Sequence, residues 1–466
     1  MSLPPDLLTT LEAALGPEFV LTDDVALEAH SVDGLRRGAR PPDAVVRPGT
    51  AEDVRRVLMA CSAARVPVVP RGAGTGYSGG AVPTRGGVVL AMDRFDRIVE
   101  IDEENLLAVV QPNVITGVLQ AEVERRGLFY PPDPASLDRS ALGGNVAECA
   151  GGPRAFKYGT TRHYVLGLEA VLPTGDIIRT GGRTVKNVVG YDLTQLLIGS
   201  EGTLAVVTEI VLRLLPKPPS VVTLRAAFAN VGEAADAVTR LVRERAVPAA
   251  LELVDGVSLD AVAAHLEDRS LAPAGTGALL LIEVDGMDAS VDEEATRVAR
   301  ACFDAGATDV QRAQSEEERQ RLWRARRELS PALKALAPAK LNHDVVVPKG
   351  LIPRLFTLVA DLSASHGLLI PCFGHAGDGN IHVNIMADPD QPGQMERARL
   401  AERHLLEGVV ALGGSISGEH GIGFTKAQFL GLQLSPEVIA LMRRIKRAFD
   451  PCDILNPGKI FPDAEV

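Results

Sequence analysis

Between residues 42 and 216 short apolar runs alternate with helical stretches. Ala44-Val-Val-Arg-Pro48 reads as a strand, and Thr50 then caps a helix to about Ala64, with Glu52 and Asp53 in its first turn. Arg65-Val-Pro-Val-Val-Pro70 and Gly87-Val-Val-Leu-Ala-Met92 read as two more strands. Strand-like runs recur at 96–101, 107–112, 166–172, 176–180 and 203–214. Pro216-Lys-Pro-Pro-Ser220 then breaks the pattern and marks the clearest boundary in the chain. Beyond it the order is strand (221–228), helix (231–244), strand (249–254), strand (277–284), helix (288–305) and strand (308–313). Two β-α-β units of this length predict a split βαβ layer, a sheet with helices on one side. From 315 the chain turns charged and helical. The sheet resumes at Asp344-Val-Val-Val-Pro348 and across 368–386, helices follow at 391–412 and 435–449, and the end over 455–461 is irregular. No internal repeat or low-complexity segment interrupts this order.

Composition bounds the reading. A chain of 466 residues holds two or three domains with ample core, and 46% hydrophobic against 23% charged residues is ordinary for a soluble globular protein. The net charge of −12, without a basic cluster, argues against nucleic acid as the main partner. The five cysteines (Cys61, Cys149, Cys302, Cys372, Cys452) are scattered and never form C-x-x-C. They point to reduced thiols in a cytoplasmic protein, not to a disulfide framework or a thiolate zinc site. The N-terminal stretch Met1–Gly16 has neither a basic start nor a long apolar core, so it reads as a first amphipathic helix and not as a secretion signal. No uninterrupted apolar run approaches the roughly 18 residues of a membrane span.

Three glycine clusters carry the first chemical signal. Arg71 to Ala81 contains glycines at 72, 74, 76, 79 and 80, with Thr75 and Ser78 between them, set between two strands. Such a turn lets backbone approach a ligand and aim several N–H groups at one point, as a pyrophosphate requires. A glycine-surplus surface loop is the alternative for this cluster alone. No amphipathic helix follows Gly80, so the helix-opening nicotinamide motif fits poorly, and no Gly-Lys-Ser/Thr closes a Walker loop. The second cluster, Ala141-Leu-Gly-Gly-Asn-Val-Ala-Glu-Cys-Ala-Gly-Gly-Pro153 with Lys157-Tyr-Gly159, suits a flat ring laid against backbone. The third, Gly199-Ser-Glu-Gly-Thr203, leads into the long strand. Three such loops in one domain favour a large phosphate-bearing cofactor.

The C-terminal third holds the ionic residues. In Cys372-Phe-Gly-His-Ala-Gly-Asp-Gly-Asn-Ile-His-Val-Asn384 two histidines flank a tight turn, and strand alternation puts His382 and Asn384 on one face. A turn of this size brings His375 back beside His382. Ser415-Ile-Ser-Gly-Glu-His-Gly-Ile-Gly423 sets Glu419 and His420 between glycines. Two imidazoles and a carboxylate make an open three-ligand metal site, and the alternative is histidines hydrogen-bonded in a core. Arg326 and Ser330 stand i and i+4 on a charged helix, and a guanidinium is the usual partner of a substrate carboxylate.

These motifs together resemble the FAD-linked oxidases of the vanillyl-alcohol-oxidase type. Within them the chain is most similar to the group of glycolate-oxidase D subunits and D-lactate and D-2-hydroxyglutarate dehydrogenases. The similarity runs through Pro70–Gly80, Gly143–Glu148, Ala150–Pro153, Val185-Lys-Asn-Val-Val-Gly-Tyr-Asp192, Gly199–Leu204, Gly374–His382, Gly418–Gly423 and Leu455-Asn-Pro-Gly-Lys459, in order over nearly the whole chain. It implies an α+β fold with a two-part FAD-binding domain over 1–216 (glycine-rich core 42–216). A ferredoxin-like cap with an antiparallel sheet follows over 217–410, and a C-terminal helical segment over 411–466 returns to the flavin.

Carried over residue by residue, Pro70, Arg71, Gly72, Ala73, Gly74, Thr75, Gly76, Ser78, Gly79 and Gly80 hold the FAD pyrophosphate. Gly143, Gly144, Asn145, Ala147, Gly151 and Gly152, with Glu201 and Gly202, line the flavin. Tyr158, Gly159 and Val206 complete the FAD site, and Asn456 closes over it. His375, His382 and Glu419 match the ligands of a divalent metal, zinc or manganese, and His420 matches the general base. Arg326 matches the carboxylate-binding arginine, and Ser330 stands where a threonine is found. Asn342 stands where hydroxyglutarate enzymes carry a lysine, which favours a short monocarboxylate, and Cys149 stands where asparagine is common. With no His or Cys over 70–82, FAD is expected to be non-covalent.

The implied reaction takes a small D-2-hydroxy acid to the 2-oxo acid, with hydride passing to flavin N5. Related oxidases work beside an iron–sulfur subunit. The resemblance therefore allows iron–sulfur and second flavin subunits as acceptors, peripheral attachment at the inner membrane through such a partner, and a homodimer. Two other readings stay open: an FAD-dependent transferase like the ether-lipid synthase branch of the fold, and a non-catalytic flavoprotein subunit.

Overall fold

The computed structural model describes residues 3–36, 38 and 40–462. The chain divides into two units: Met1–Gly151, Thr160–Lys217 and Glu419–Val466 form the first, Gly152–Gly159 and Pro218–Gly418 the second.

In unit 1, β1 (Val20–Leu21), β2 (Ala44–Val46), β3 (Val68–Arg71) and β4 (Val88–Ala91) form a sheet in the order β1-β2-β4-β3. β2 and β3 both run parallel to β4, and their near-continuous valines are buried because both faces are covered. One face packs on the helices Pro5–Leu15 and Ala51–Ala64 through Leu7, Leu11, Val54, Val57, Leu58 and Cys61. The second helix starts at a capping box in which Thr50 and Asp53 satisfy each other's backbone N–H. Leu455 bridges to Val68 and buries itself with Ile454 in the same core, so the C-terminal run is built into this sheet.

The other half of unit 1 is antiparallel. β5 (Ile98–Asp102), β6 (Leu107–Val110), β8 (Val165–Val171), β9 (Ile177–Gly181) and β10 (Val206–Arg213) lie in the order β5-β6-β10-β8-β9. β7 (Leu128–Phe129) pairs with β11 (Leu215–Pro216). Burial alternates along β10, as a strand with one covered face requires.

Unit 2 is built on one antiparallel sheet. β12 (Ser220–Phe228), β13 (Ala250–Asp255), β14 (Ala278–Gly286) and β15 (Asp309–Arg312) take the order β15-β12-β14-β13, the ferredoxin-like arrangement. The helices Val231–Arg243 and Asp288–Asp304 are its crossovers. β16 (Ala339–Val346), β17 (Cys372–His375) and β18 (Asn380–Ala387) extend it beyond β13 as β17-β18-β16. The fold class is thus α+β, with a two-part first unit and an antiparallel cap sheet.

Some elements differ from the sequence reading. β16 begins at Ala339 and not at Asp344, because Lys340, Asn342 and Asp344 interrupt the apolar run while still pairing with β18. The helices Gly256–His265 and Ile352–His366 were not expected. The stretch read as a glycine loop from Gly143 opens as a helix, Leu142–Glu148, that ends where Cys149 turns left-handed at φ 55°. Among the described residues no helix is long and apolar enough to cross a membrane.

Candidate active site

In unit 1 the loop after β3 is held at its neck and bare along its crest. Arg71 donates from Nη1 to the carbonyls of Val32 (2.8 Å) and Ala81 (3.3 Å), and the Gly79 N–H donates to Asp33 Oδ2 at 2.8 Å. Burial pushes the Asp33 carboxyl up, against these donors. Among the described residues no acceptor meets the backbone N–H groups of Gly72 to Tyr77. Gly79, at φ 81°, lies flat on the Phe424 ring, where any Cβ would collide. Across the loop, Gly72 faces the start of the Leu142–Glu148 helix, and a Cβ at Gly144 would enter open space. A run of unmatched donors opposite an open glycine face is what a pyrophosphate joined to a flat ring would fill, so the residues present fit FAD.

The same unit gathers the residues from the end of the chain. Glu201, left-handed at φ 52°, accepts from the N–H groups of Ile422 and Gly423, both at 2.7 Å, and burial pushes its carboxyl up. Asn456 donates from Nδ2 to the carbonyls of Gly80 (2.9 Å) and Glu201 (2.7 Å), which ties two glycine clusters together. Its buried Oδ1 has no partner among the described residues. Lys459 donates to the Val82 carbonyl at 2.7 Å, and burial pushes its ammonium down to about 8. His420 stacks on Tyr77 of the bare loop, with centroids 5.5 Å apart, and a Cβ at Gly151 would come 2.9 Å from Glu419.

Other expected FAD residues serve the fold as well. Ser78 Oγ lies 3.4 Å from Glu148, and the Ala147 carbonyl accepts from the Glu201 N–H at 2.8 Å. The Gly143 N–H donates to the Pro112 carbonyl at 2.6 Å, and Asn145 spends its side-chain amide on Thr116 Oγ1 at 2.7 Å. Val206 is buried in the core at the start of β10, and Gly202 packs at the Pro70 ring.

In unit 2 the segment from Gly152 to Gly159 is fastened to β14. Tyr158 Oη donates to Asp285 Oδ2 at 2.7 Å, and Lys157 reaches the Asp285 carbonyl at 2.8 Å. The β17–β18 hairpin brings His375 and His382 onto one face, their rings edge to face with centroids 5.3 Å apart. Gly374 allows this, since its backbone runs against Asn380 and Ile381 with no room for a Cβ. Glu419 follows Gly418, whose N–H is held by Asp344 Oδ2 at 2.9 Å.

Behind the histidines lies a buried ionic line. His375 Nδ1 meets Glu252 Oε1 at 2.7 Å, and Arg326 Nε donates to Glu252 Oε2 at 2.5 Å. Burial would raise the Glu252 carboxyl, but the Arg326 guanidinium and the His375 imidazole overcome it and hold it down to about 2. Phe373 underlies both sides, 4.9 Å from the Arg326 guanidinium carbon and 5.2 Å from the His382 ring centre. The Nη atoms of Arg326 have no acceptor among the described residues, so the outer edge of the fork is available.

One turn on, Ser330 accepts from Lys340 Nζ at 2.8 Å. Burial, with Lys334 nearby, pushes Lys340 down to about 8. Asn342 donates to Asn384 Oδ1 at 2.8 Å across the β16–β18 pair. Glu252, Asp285 and Lys340 were missed from sequence. The one available signal was Glu252 itself, a lone acid in the apolar run Ala249-Ala-Leu-Glu-Leu-Val254.

Comparison with known proteins identifies the family. A family model described as FAD binding domain matches residues 42–181, and one described as FAD linked oxidases, C-terminal domain, matches 217–460. Over 448 residues the chain is 44% identical to glycolate oxidase subunit GlcD of Bacillus subtilis (strain 168), covering 96% of this chain and 94% of that one. It is 35% identical over 453 residues to D-lactate dehydrogenase of Anaerostipes hadrus, covering 96% and 95%. The crystal structure of p-cresol methylhydroxylase with substrate bound superposes with a TM-score of 0.82 over 99% of this chain and 98% of that one. At 19% identity this is a likeness of fold. The chain is an FAD-dependent enzyme and belongs to the FAD-linked oxidase family.

Proposed function

We propose that the enzyme oxidises a small D-2-hydroxy acid, glycolate or D-lactate, to the 2-oxo acid. The observation that carries this reading is the Arg326 fork, fixed on its Nε edge by Glu252 and open on its Nη edge, in the same buried cluster as His375 and His382. A guanidinium edge presented this way suits the carboxylate of such a substrate. The names of the Bacillus and Anaerostipes relatives point to the same substrate class. FAD, when bound, supplies the acceptor for the hydride that leaves the α-carbon.

His420 takes the hydroxyl proton, and its stacking on Tyr77 holds the imidazole plane while it does so. Arg326 holds the carboxylate, so that the α C–H bond has one orientation, which is where proximity contributes most. Ser330, on the Glu316–Leu333 helix that carries Arg326, and Asn342, on β16, would offer the substrate short neutral side chains, which suit a monocarboxylate. His375, His382 and Glu419 would hold a divalent cation, zinc or manganese, since neutral imidazoles with one carboxylate are donors both accept. Bound there, it would supply Lewis acidity. The B. subtilis relative is named as a subunit, which supports an electron acceptor on a partner chain, iron–sulfur or flavin-bearing.

The test is an anaerobic visible spectrum of the purified protein before and after D-lactate, then glycolate, with and without a chelator. Bleaching of the flavin band that the chelator abolishes is expected. A yellow protein bleached by neither acid would overturn the substrate class. Bleaching indifferent to the chelator would overturn the metal.

A further inference from the structure

Glu252 touches two residues given separate roles above, and neither role accounts for it. It sits on β13, fully buried, directly opposite His375 in the β13–β17 register. One oxygen receives Arg326 Nε, the other faces His375 Nδ1, and no third donor is needed to satisfy it. A carboxylate this deep is expensive to desolvate, and an apolar side chain of the same size would ordinarily stabilise the fold as well or better. What an apolar side chain cannot do is fix two polar neighbours at once.

We propose that Glu252 is a positioning residue whose single carboxylate sets both the orientation of the Arg326 fork and the tautomer of His375. The first half follows from shape. Once Nε–H is committed to Oε2 and the guanidinium plane lies near Phe373, the Nη1 and Nη2 donors point away together. The second half follows from the acceptor character of a carboxylate. Facing it, Nδ1 carries the proton, so the lone pair of the neutral ring stands on Nε2, the form in which an imidazole ligates from that nitrogen. The inference deepens the proposed function, because it rests on Arg326 and His375 being substrate and metal residues. It makes those two roles inseparable through one side chain.

The experiment uses FAD-loaded, chelator-treated protein carrying 15N-labelled histidine, as wild type, E252Q and E252D, with H375Q to assign the ring. Wild type should show His375 as the Nδ1–H tautomer. In E252Q a Gln oxygen can serve only one of the two donors, so the His375 signal should move to the Nε2–H form or exchange between the two. Uptake of Zn2+ or Mn2+, read by calorimetry, should weaken by about 10–100-fold. Once metal has been restored to saturation, KM for the hydroxy acid should rise by about tenfold, with kcat less affected. E252D keeps the charge but cannot span both partners, and it should restore the Nδ1–H signal or the KM, not both. The same His375 tautomer in wild type and E252Q, or Nε2–H in wild type, would overturn the inference. A wild type that shows the expected tautomer but takes up neither metal would leave Glu252 in its role and remove the metal reading instead.

Discussion

At the residue scale the proposed chemistry makes its sharpest demand on His420. Its ring is stacked on Tyr77, a residue of the bare glycine loop, so its placement is shared with the FAD-binding region of unit 1. Replacing it with alanine removes a proton acceptor and leaves the donors of Gly72 to Tyr77 in place. His420→Ala is therefore expected to keep its flavin content while anaerobic flavin reduction by D-lactate or glycolate slows by about 10²–10⁴-fold. Full turnover in that variant would discard the base. How far such residues were legible depended on sequence distance. His375 and His382 sit seven positions apart around one turn, and Arg326 and Ser330 lie one helical turn apart, so local periodicity alone brought each pair together. Glu252 reaches His375 across 123 residues through the pairing of β13 with β17, and no local pattern reports that pairing. Lys340 was missed for the same reason: its partner Ser330 belongs to a helix, and the first half of β16, which carries the lysine, does not read as strand.

At the element scale the strands of both units were legible where valine, leucine and isoleucine run together, as in β4, β10 and β14. Those that carry chemistry were harder to see. β16 presents Lys340, Asn342 and Asp344 in alternation, which reads as polar chain until its register with β18 is known. The Leu142–Glu148 helix carries two glycines, residues of poor helix propensity, in its first turn, and is held instead by Gly143 on Pro112 and by Asn145 on Thr116. In the β17–β18 hairpin, glycine is dictated by contact. At Gly374 an added Cβ would come 2.7 Å from the Ile381 Cα, closer still to the Asn380 carbonyl, and neither backbone group can swing aside. Gly374→Ala should therefore push the two strands apart, cost about 1–3 kcal/mol, and disturb the His375–His382 pair in the same movement. A urea midpoint unchanged from wild type, with an unchanged m-value, would show that the hairpin has slack that the structure does not suggest.

At the scale of the whole molecule, pH should act on the two units through different groups. Lys459 is the clearest case in unit 1, being 2% exposed and held near 8 against an ordinary 10.5 by burial, with Glu201 opposing the shift. Because its folded value lies below its unfolded one, the charged form is the costly one in the fold. The penalty is complete below pH 8 and disappears as pH rises through 10.5. Its upper bound is about 3 kcal/mol. Lys340, likewise pushed down to about 8 by burial, puts the same sign into unit 2. Glu252 works at the acid end. Held down to about 2 against an ordinary 4.5, it contributes stability that is whole above pH 4.5 and is lost as pH falls towards 2. A net charge of −12 grows more negative as pH rises, and that general repulsion opposes the alkaline gain from the lysines. The lysine contribution must therefore be read as a difference. Between pH 7.5 and 10 the urea midpoint of Lys459→Met should fall relative to that of wild type, since only wild type is relieved of a buried charge over that interval. Parallel pH profiles for the two proteins would mean that Lys459 is already neutral, or already solvated, at the lower pH.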